Sequence, residues 1–548
     1  MKNNIIASVI LIWLINGLIY TQHISEFNSL TQGIQDTDFH LPSTHYFQYI
    51  IEHGDALTQG GILPDACDFA GYVPINSSSK FGYLSVNSES VPGGVTILEI
   101  ELNESIGKWV VNNSEAVDFS FGLPLGGTAA NCSGTITPWN TIISCEEYTI
   151  KDLKDKYPAL PESSFKIDGD LNGYDGYGWA IEIDPETKKV IDQDGGRNGS
   201  DKLWALGNFK HENVVIHKNK RTVYQGADDT KGEGFLFKFV ADIQENLSSG
   251  DLYVYKGNKQ GQGSWLQLEN NTPIQQNTTL SQCLDLGATS FGGIEDVEIN
   301  PIDGMIYFAV KREDIGAGNE KGVVFRFKDS NPLNGFGVED FEIYVGGDVS
   351  YDNVLWGNGT DNLVFDDKGN LWVAQDESGN DKRNYIWVVE NGHSQQNPKV
   401  KIFARTPLGS EPTGLTFSPD YKTLFLSIQH PDENNNITNQ PDLFGDPKTF
   451  DKDVVLAIAR TASLSNDLTM GVDNSFTISN TYDGFNINAS KVVTKIKVYD
   501  MLGRLLIQDN PNKQSFKLNT EIINDGTVLI IESTLINYSI IHKKIIKY

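Results

Sequence analysis

Past Ile19 the chain has no apolar stretch long enough to cross a bilayer, so the mature protein is expected not to span a membrane. Basic residues are scarce: 43 Lys and Arg stand against 72 Asp and Glu, a formal net charge of −29. Such a surface repels a phosphate backbone, which argues against nucleic acid as a partner. Charged residues of both signs make up only 21% of the 548, fewer than helical arrays usually carry. Cysteine is rare too, with Cys67, Cys132, Cys145 and Cys283 alone. In an exported chain they could form two disulfides, with three connectivities. There is no Ser-His-Asp pattern and no G-x-S-x-G, so no protein nucleophile stands out.

What the chain does have is glycine (52 residues) and aromatics (10%), the balance of a β-rich globular protein. Lys2 followed by the apolar run Ile5 to Ile19 reads as a signal peptide, cut near Tyr20 to Gln22. An uncleaved anchor is the alternative. Further on, one phrase recurs: an apolar strand, a turn with Asp, Pro, Lys or Gly, then a second apolar or aromatic strand. WAIEIDPETKKVID (179–192), NVVIHKNKRTVYQG (213–226), DVEINPIDGMIYFAV (296–310), NLVFDDKGNLWVAQD (362–376) and GLTFSPDYKTLFLSI (414–428) each read as a β-hairpin. Self-similar hairpins predict the blades of a β-propeller, with a two-sheet sandwich as the alternative.

Acidic or Asn residues sit at the ends of these hairpins: Glu212, Glu295-Asp296, Asp361-Asn362, Asp376 and Glu411. Singly, each is an ordinary turn or cap residue. In a propeller, equivalent blade ends converge, and converging carboxylates repel unless cations sit among them. Cys145-Glu146-Glu147 is the other unusual group. A disulfide half needs no carboxylates and a buried apolar cysteine avoids them, whereas a metal site uses all three.

After about residue 470 the composition changes to a small all-β unit. IKVYDMLGRL (496–505), Leu518-Asn519-Thr520 and Lys543-Lys544-Ile545-Ile546-Lys547 resemble the C-terminal sorting domain of the type IX secretion system of Bacteroidetes. That resemblance implies export through both membranes and removal of this segment. An Ig-like or carbohydrate-binding accessory domain is the alternative.

A second resemblance covers about residues 45 to 460. NCSGTITPWNTIISCEEY (131–148), GNFKHENVVIH (207–217), TVYQGADD…GFLFKFV (222–240), GGIEDVEINPIDGMIYFAV, DNLVFDDKGNLWVAQD and GSEPTGLTFSPDYKTLFLSIQHP (409–431) follow in the order of the PhoX-type secreted alkaline phosphatases. The resemblance implies an all-β fold: a six-bladed β-propeller over 45–465, here with a leader at 1–22 and a small C-terminal β-sandwich at 475–548. It also implies an iron and calcium cluster that hydrolyses phosphate monoesters. Cys145, Glu212 and Glu295 would be the iron ligands and catalytic centre. Glu89, Glu146, Glu147, Asp296, Asp361, Asp376 and Glu411 would be calcium candidates. The protein is then expected to be a monomer, secreted or held at the outer face of the outer membrane. Its partners are a small phosphoester and the type IX secretion machinery.

One departure stands out. Where the family's phosphatases carry an arginine two residues before the first Glu of the Glu-Asp blade, this chain has Gly293. Lys311 or Arg312 is a possible substitute. Asn87-Ser88-Glu89 also replaces the Asn-His-Glu frequent in relatives. His211 is a candidate neighbour of the ligands, and His217 reads as a surface or core imidazole. Two rivals remain: a non-catalytic propeller stabilised by calcium that binds a ligand or partner, and a calcium-dependent lactonase or esterase. Neither needs a thiolate, so a Cys132–Cys145 disulfide would favour them.

Overall fold

Each of the five hairpins forms, and each turn is built by a side chain of the kind its sequence offers. Asp184 accepts from Glu186 N at 2.9 Å between strands Ala180–Asp184 and Lys189–Val190. Asn219 accepts from Arg221 N and Thr222 N, both at 2.9 Å, at the turn between His211–Ile216 and Thr222–Ala227. Asn300 does the same for Ile302 N at 2.8 Å. Asp366 takes Lys368 N and Asn370 N, both at 3.0 Å. Ser418 takes Thr423 N at 3.1 Å. These oxygens satisfy backbone donors that the reversal leaves without a ladder partner.

The computed structural model describes residues 23–461 and 476–546, apart from 105, 120–125, 166–172, 193–201, 378–382, 438, 482–483, 501–503, 521–522, 524–527 and 537–539. The expected leader at 1–22 and the turn at Gly503 lie outside the described residues. The chain divides into two compact units, Met1–Ser463 and Leu464–Tyr548. Among the described residues no helix is long and apolar enough to cross a membrane.

The first unit is a propeller-like ring of antiparallel sheets. Its innermost strands are Cys67–Pro74, Asn131–Ile136, His211–Ile216, Ile294–Ile299, Thr360–Phe365 and Glu411–Phe417. Each touches the next in sequence, and the last touches the first. Strand Gly261–Gln267 links the third and fourth runs edge to edge in one ten-stranded sheet. The ring closes through the chain's ends: His45–Glu52 pairs with Val454–Arg460 from His45↔Arg460 to Glu52↔Val454. Aromatic rings fill the wedges between sheets. Tyr72 stacks on Phe425 at 5.3 Å, Trp356 on Trp387 at 5.1 Å, and Phe403 meets Trp372 edge-on at 4.7 Å.

All six innermost strands share one irregularity. The register with the second strand shifts near the start, between Cys67 and Ala70, Asn131 and Gly134, His211 and Val214, Ile294 and Asp296, and Thr360 and Leu363. In the last strand it shifts between Thr413 and Thr416. A bulge bends the strand and re-aims its side chains, so two successive residues can face the ring axis.

In the second unit the long strand Gly484–Asp500 organises everything. Phe476–Thr481 and Lys513–Asn519 pair with its first part, and Leu505–Asp509 and Val528–Leu535 with its last. Phe485, Ile487 and Leu518 of one part share a buried core with Ile496, Val498, Leu529 and Ile531 of the other. The strands thus form one hydrogen-bonded sheet whose two parts enclose a core between them.

Candidate metal centre

Antiparallel pairing brings two kinds of position to one end of the ring: the start of each innermost strand and the end of the strand beside it. His211 pairs with Ala227, which sets Glu212 near Asp228. Thr360 pairs with Gln375, which sets Asp361 near Asp376. Asn131 pairs with Glu146 and Cys67 with Ser88, which bring Glu147 and Glu89 to the same end.

Two groups of carboxylates result. Glu147, Glu212 and Asp228 offer oxygens that lie within 4.8 Å of one another, and Asp361, Asp376 and Glu411 do likewise. Two carboxyl pairs are in hydrogen-bond contact, Glu89 with Glu147 and Asp376 with Glu411. Carboxylates meet in this way only by sharing a proton or a cation. Burial and then the charge of Glu89 hold Glu147 well above the usual carboxylate range. Burial and then Glu295 do the same to Glu212. Asp228 is pushed up to about 6 and Asp361 to about 7, in both cases chiefly by burial. Asp228 Oδ1 is buried with no hydrogen-bond donor. The acids outnumber the ammonium groups among them, Lys311 and Lys210. Their all-oxygen character suits hard cations such as calcium. The groups fit metal ions.

The expected ligands divide in position. Glu212, Glu147, Asp361, Asp376 and Glu411 join the two groups. Glu89 reaches them through Glu147, and also accepts from Gln429 Nε2 at 2.8 Å. Glu295 is buried 3.3 Å from Lys311 Nζ. Asp296 lies one step deeper on the axis. It accepts from Asn213 Nδ2 and, at 2.7 Å, from Leu363 N. With Asn362, Thr413 and Asp68, likewise hydrogen-bonded, it forms a polar belt across the channel. Beyond the belt, toward the far ends of the innermost strands, lies a cavity of about 310 Å³ lined by Thr135, Val215, Glu298, Val364 and Thr416.

Glu146 has a different setting from its neighbour. Its carboxylate accepts from Ala129 N and Trp179 N, both at 3.1 Å, and from Lys202 Nζ at 2.6 Å. The Lys202 side chain is 1% exposed and that of Glu146 0%. These protein donors fill its lone pairs, and it belongs to neither acid group. The Thr-Pro-Trp phrase is likewise structural at its last residue: Trp139 Nε1 donates to Glu182 at 2.7 Å.

All four cysteines are free, so the 132–145 bridge weighed from sequence does not form. Cys145 packs in an apolar cluster with Ala180 and Phe209. After burial, Asp296 is the charge that most raises its thiol. Cys132, on the innermost strand, has its Sγ 3.1 Å from His211 O, and after burial Glu212 is the charge that most raises it. Cys132 is therefore the thiol set against the Glu212 acid group. His211 is fully buried, stacked on Phe209 at 3.8 Å, with Nε2 2.9 Å from Gly207 O. Burial lowers it to about 4, so it is neutral at working pH and donates its one ring proton from Nε2 to Gly207 O.

Sequence reasoning did not pick out Asp228, which joins an acid group, or Asp68 and Cys132, which lie beside the acids. Asp228 was within reach, since TVYQGADD ends a strand paired with the Glu212 strand. Cys132 gave a weaker signal, one residue past the start of an innermost strand, the same place as Glu212 and Asp361.

No curated protein sequence matches the chain. Residues 464–547 match a domain of unknown function, DUF8694. Among solved structures, PhoX of Pseudomonas fluorescens in complex with vanadate, a transition state analogue, is similar over 79% of this chain and 98% of that one, at 21% identity and a TM-score of 0.59. The periplasmic gluconolactonase of Pseudomonas aeruginosa covers 82% of this chain and 98% of its own, at 11% identity and a TM-score of 0.31. A putative 6-phosphogluconolactonase of Bacteroides fragilis covers 76% and 98%, at 12% and 0.33. The last two are too distant to bear on function. Residues 107–432, more than half of the chain, match the family described as alkaline phosphatase PhoX, and the chain belongs to that family.

Proposed function

We propose that the protein is an exported, metal-dependent phosphomonoesterase that works at the acidic end of the ring, with six blades as the reading of its sheets. The observation that carries this is the convergence of Glu147, Glu212 and Asp228 with Asp361, Asp376 and Glu411 in a chain of the PhoX family. Iron would sit with Glu212, Glu295 and a thiolate, and calcium among Glu89, Glu147, Asp228, Asp361, Asp376 and Glu411. Cations held there supply charge neutralisation for phosphate oxygens and a lowered pKa for water.

The chain's own residues fix the rest. The carboxylates set the cations' positions. The belt of Asp68, Asn213, Asp296, Asn362 and Thr413 crosses the channel, so a substrate enters from the acidic end. Neutral His211 holds the bulge through Gly207 and takes no part in proton transfer. For the thiolate we favour Cys132 over Cys145, because Cys132 lies against the Glu212 backbone. We read the C-terminal unit as the type IX sorting domain, and the mature enzyme as a secreted or surface-exposed monomer.

The test is iron content and aryl phosphate hydrolysis in Cys132→Ser and Cys145→Ser. Loss of both iron and hydrolysis in Cys132→Ser alone supports the assignment. Full iron and activity in both variants would remove the thiolate from the proposal.

A further inference from the structure

Gly293 stands where the family resemblance calls for an arginine, and its backbone explains why no side chain is present. Its φ is +82°, and a Cβ there would lie 2.5 Å from Asp228 Oδ1. Any larger residue would be strained and would press on a carboxylate of the metal centre. The cationic contribution of that position is missing, not displaced.

The facing strand supplies another cation. Lys311, in strand Ile306–Asp314, donates its backbone N–H to Gly293 O at 2.9 Å, so the two residues are cross-strand neighbours. Its Nζ lies 3.0 Å from Asp376 Oδ2 and 3.3 Å from Glu295 Oε1. The ammonium therefore bridges the acids on the Glu212 side and those on the Asp361 side. The side chain is 24% exposed, so part of it reaches solvent.

We propose that Lys311 is the protein's phosphate clamp, taking the role that Gly293 cannot fill. This rests on the phosphomonoesterase reading above. An ammonium has three donors. Ion pairs with Asp376 and Glu295 hold the ammonium in place, and Glu295 Oε1 takes no hydrogen bond from it, so the ammonium has a donor for an oxygen of a bound phosphoryl group. A lysine grips as a point charge, without the two-pronged geometry of an arginine. The site thus takes a phosphoryl group through one charge-assisted hydrogen bond and imposes little orientation from the protein side.

The experiment uses the full chain, loaded with iron and calcium, in three forms: wild type, Lys311→Met and Lys311→Arg. Inorganic phosphate is the probe, by calorimetry and by product inhibition of aryl phosphate hydrolysis, with metal content measured on each sample. Loss of one charged hydrogen bond weakens phosphate binding by about 10- to 100-fold. The expected result is that loss in Lys311→Met with unchanged metal content, a rise in KM larger than the fall in kcat, and recovery of most of the affinity in Lys311→Arg. Should Lys311→Met not fold, Lys311→Gln carries the comparison. Unchanged phosphate affinity in an active Lys311→Met, or an extra bound divalent ion in place of the ammonium, overturns the clamp and leaves the phosphatase reading standing. A metal-loaded wild type that neither binds phosphate nor hydrolyses the ester overturns both.

Discussion

Replacing Lys202 by methionine tests whether Glu146 is a structural carboxylate. The substitution removes the ammonium 2.6 Å from Glu146 Oε1 and leaves a carboxylate with no solvent exposure facing only neutral donors, Ala129 N, Trp179 N and the Thr128 side chain. Stranding one partner of a buried ion pair costs about 3–5 kcal/mol. In a unit this large each kcal/mol moves Tm by no more than about 2 °C, so the drop reaches up to about 10 °C. Adding Glu146→Gln should recover part of it, since no charge remains buried, although the single amide oxygen can replace only one of the two carboxylate oxygens that take Ala129 N and Trp179 N. Calorimetry on the four members of the cycle measures the coupling, and metal analysis accompanies it. The reasoning predicts full metal content in Glu146→Gln. It is refuted if Lys202→Met melts with the wild type, or if Glu146→Gln loses a metal ion while Lys202→Met does not.

Other consequences follow from the same geometry. Without metal, carboxylates such as Asp228 and Asp361, raised to about 6 and about 7, bind protons in the folded state that the unfolded chain has already released. Stability of the metal-free protein should therefore fall as pH rises from about 4 to about 7, and calcium should restore it most at the upper end. Urea midpoints across that range, with and without calcium, report this, and a flat metal-free profile would count against it. Gly293→Ala should destabilise by about 1–3 kcal/mol, because φ is +82° and the added Cβ meets Asp228. A Tm equal to wild type would mean the turn relaxes freely. Phe425→Ala removes the ring stacked on Tyr72 and should cost about 3–5 kcal/mol by chemical denaturation.

The hairpins were legible because their turns are local: Asp184, Asn219, Asn300, Asp366 and Ser418 each satisfy a backbone donor within a few residues. Ring closure was not, because His45–Glu52 finds Val454–Arg460 across the whole unit and no local pattern names that partner. At the site, the acids that begin an innermost strand were visible through recurrence. Those that end the neighbouring strand depend on register, which is why Asp376 was found and Asp228 missed. Adjacent residues on a strand point to opposite faces, so Glu146 and Glu147 had to differ. Which of them met the centre depended on Lys202, some 56 residues away, and on where it lands. The second unit was readable as a β fold from its strand spacing, but the long shared strand Gly484–Asp500 was not, since nothing in the sequence marks the absence of a break.

The most direct test of the central claim is hydrolysis of a generic aryl phosphate by the mature protein, with iron and calcium determined in the same sample. The account predicts both metals and phosphate release that a chelator abolishes and added metal restores. Calcium alone, with no phosphate released, would contradict it and leave a metal-stabilised ring without this chemistry.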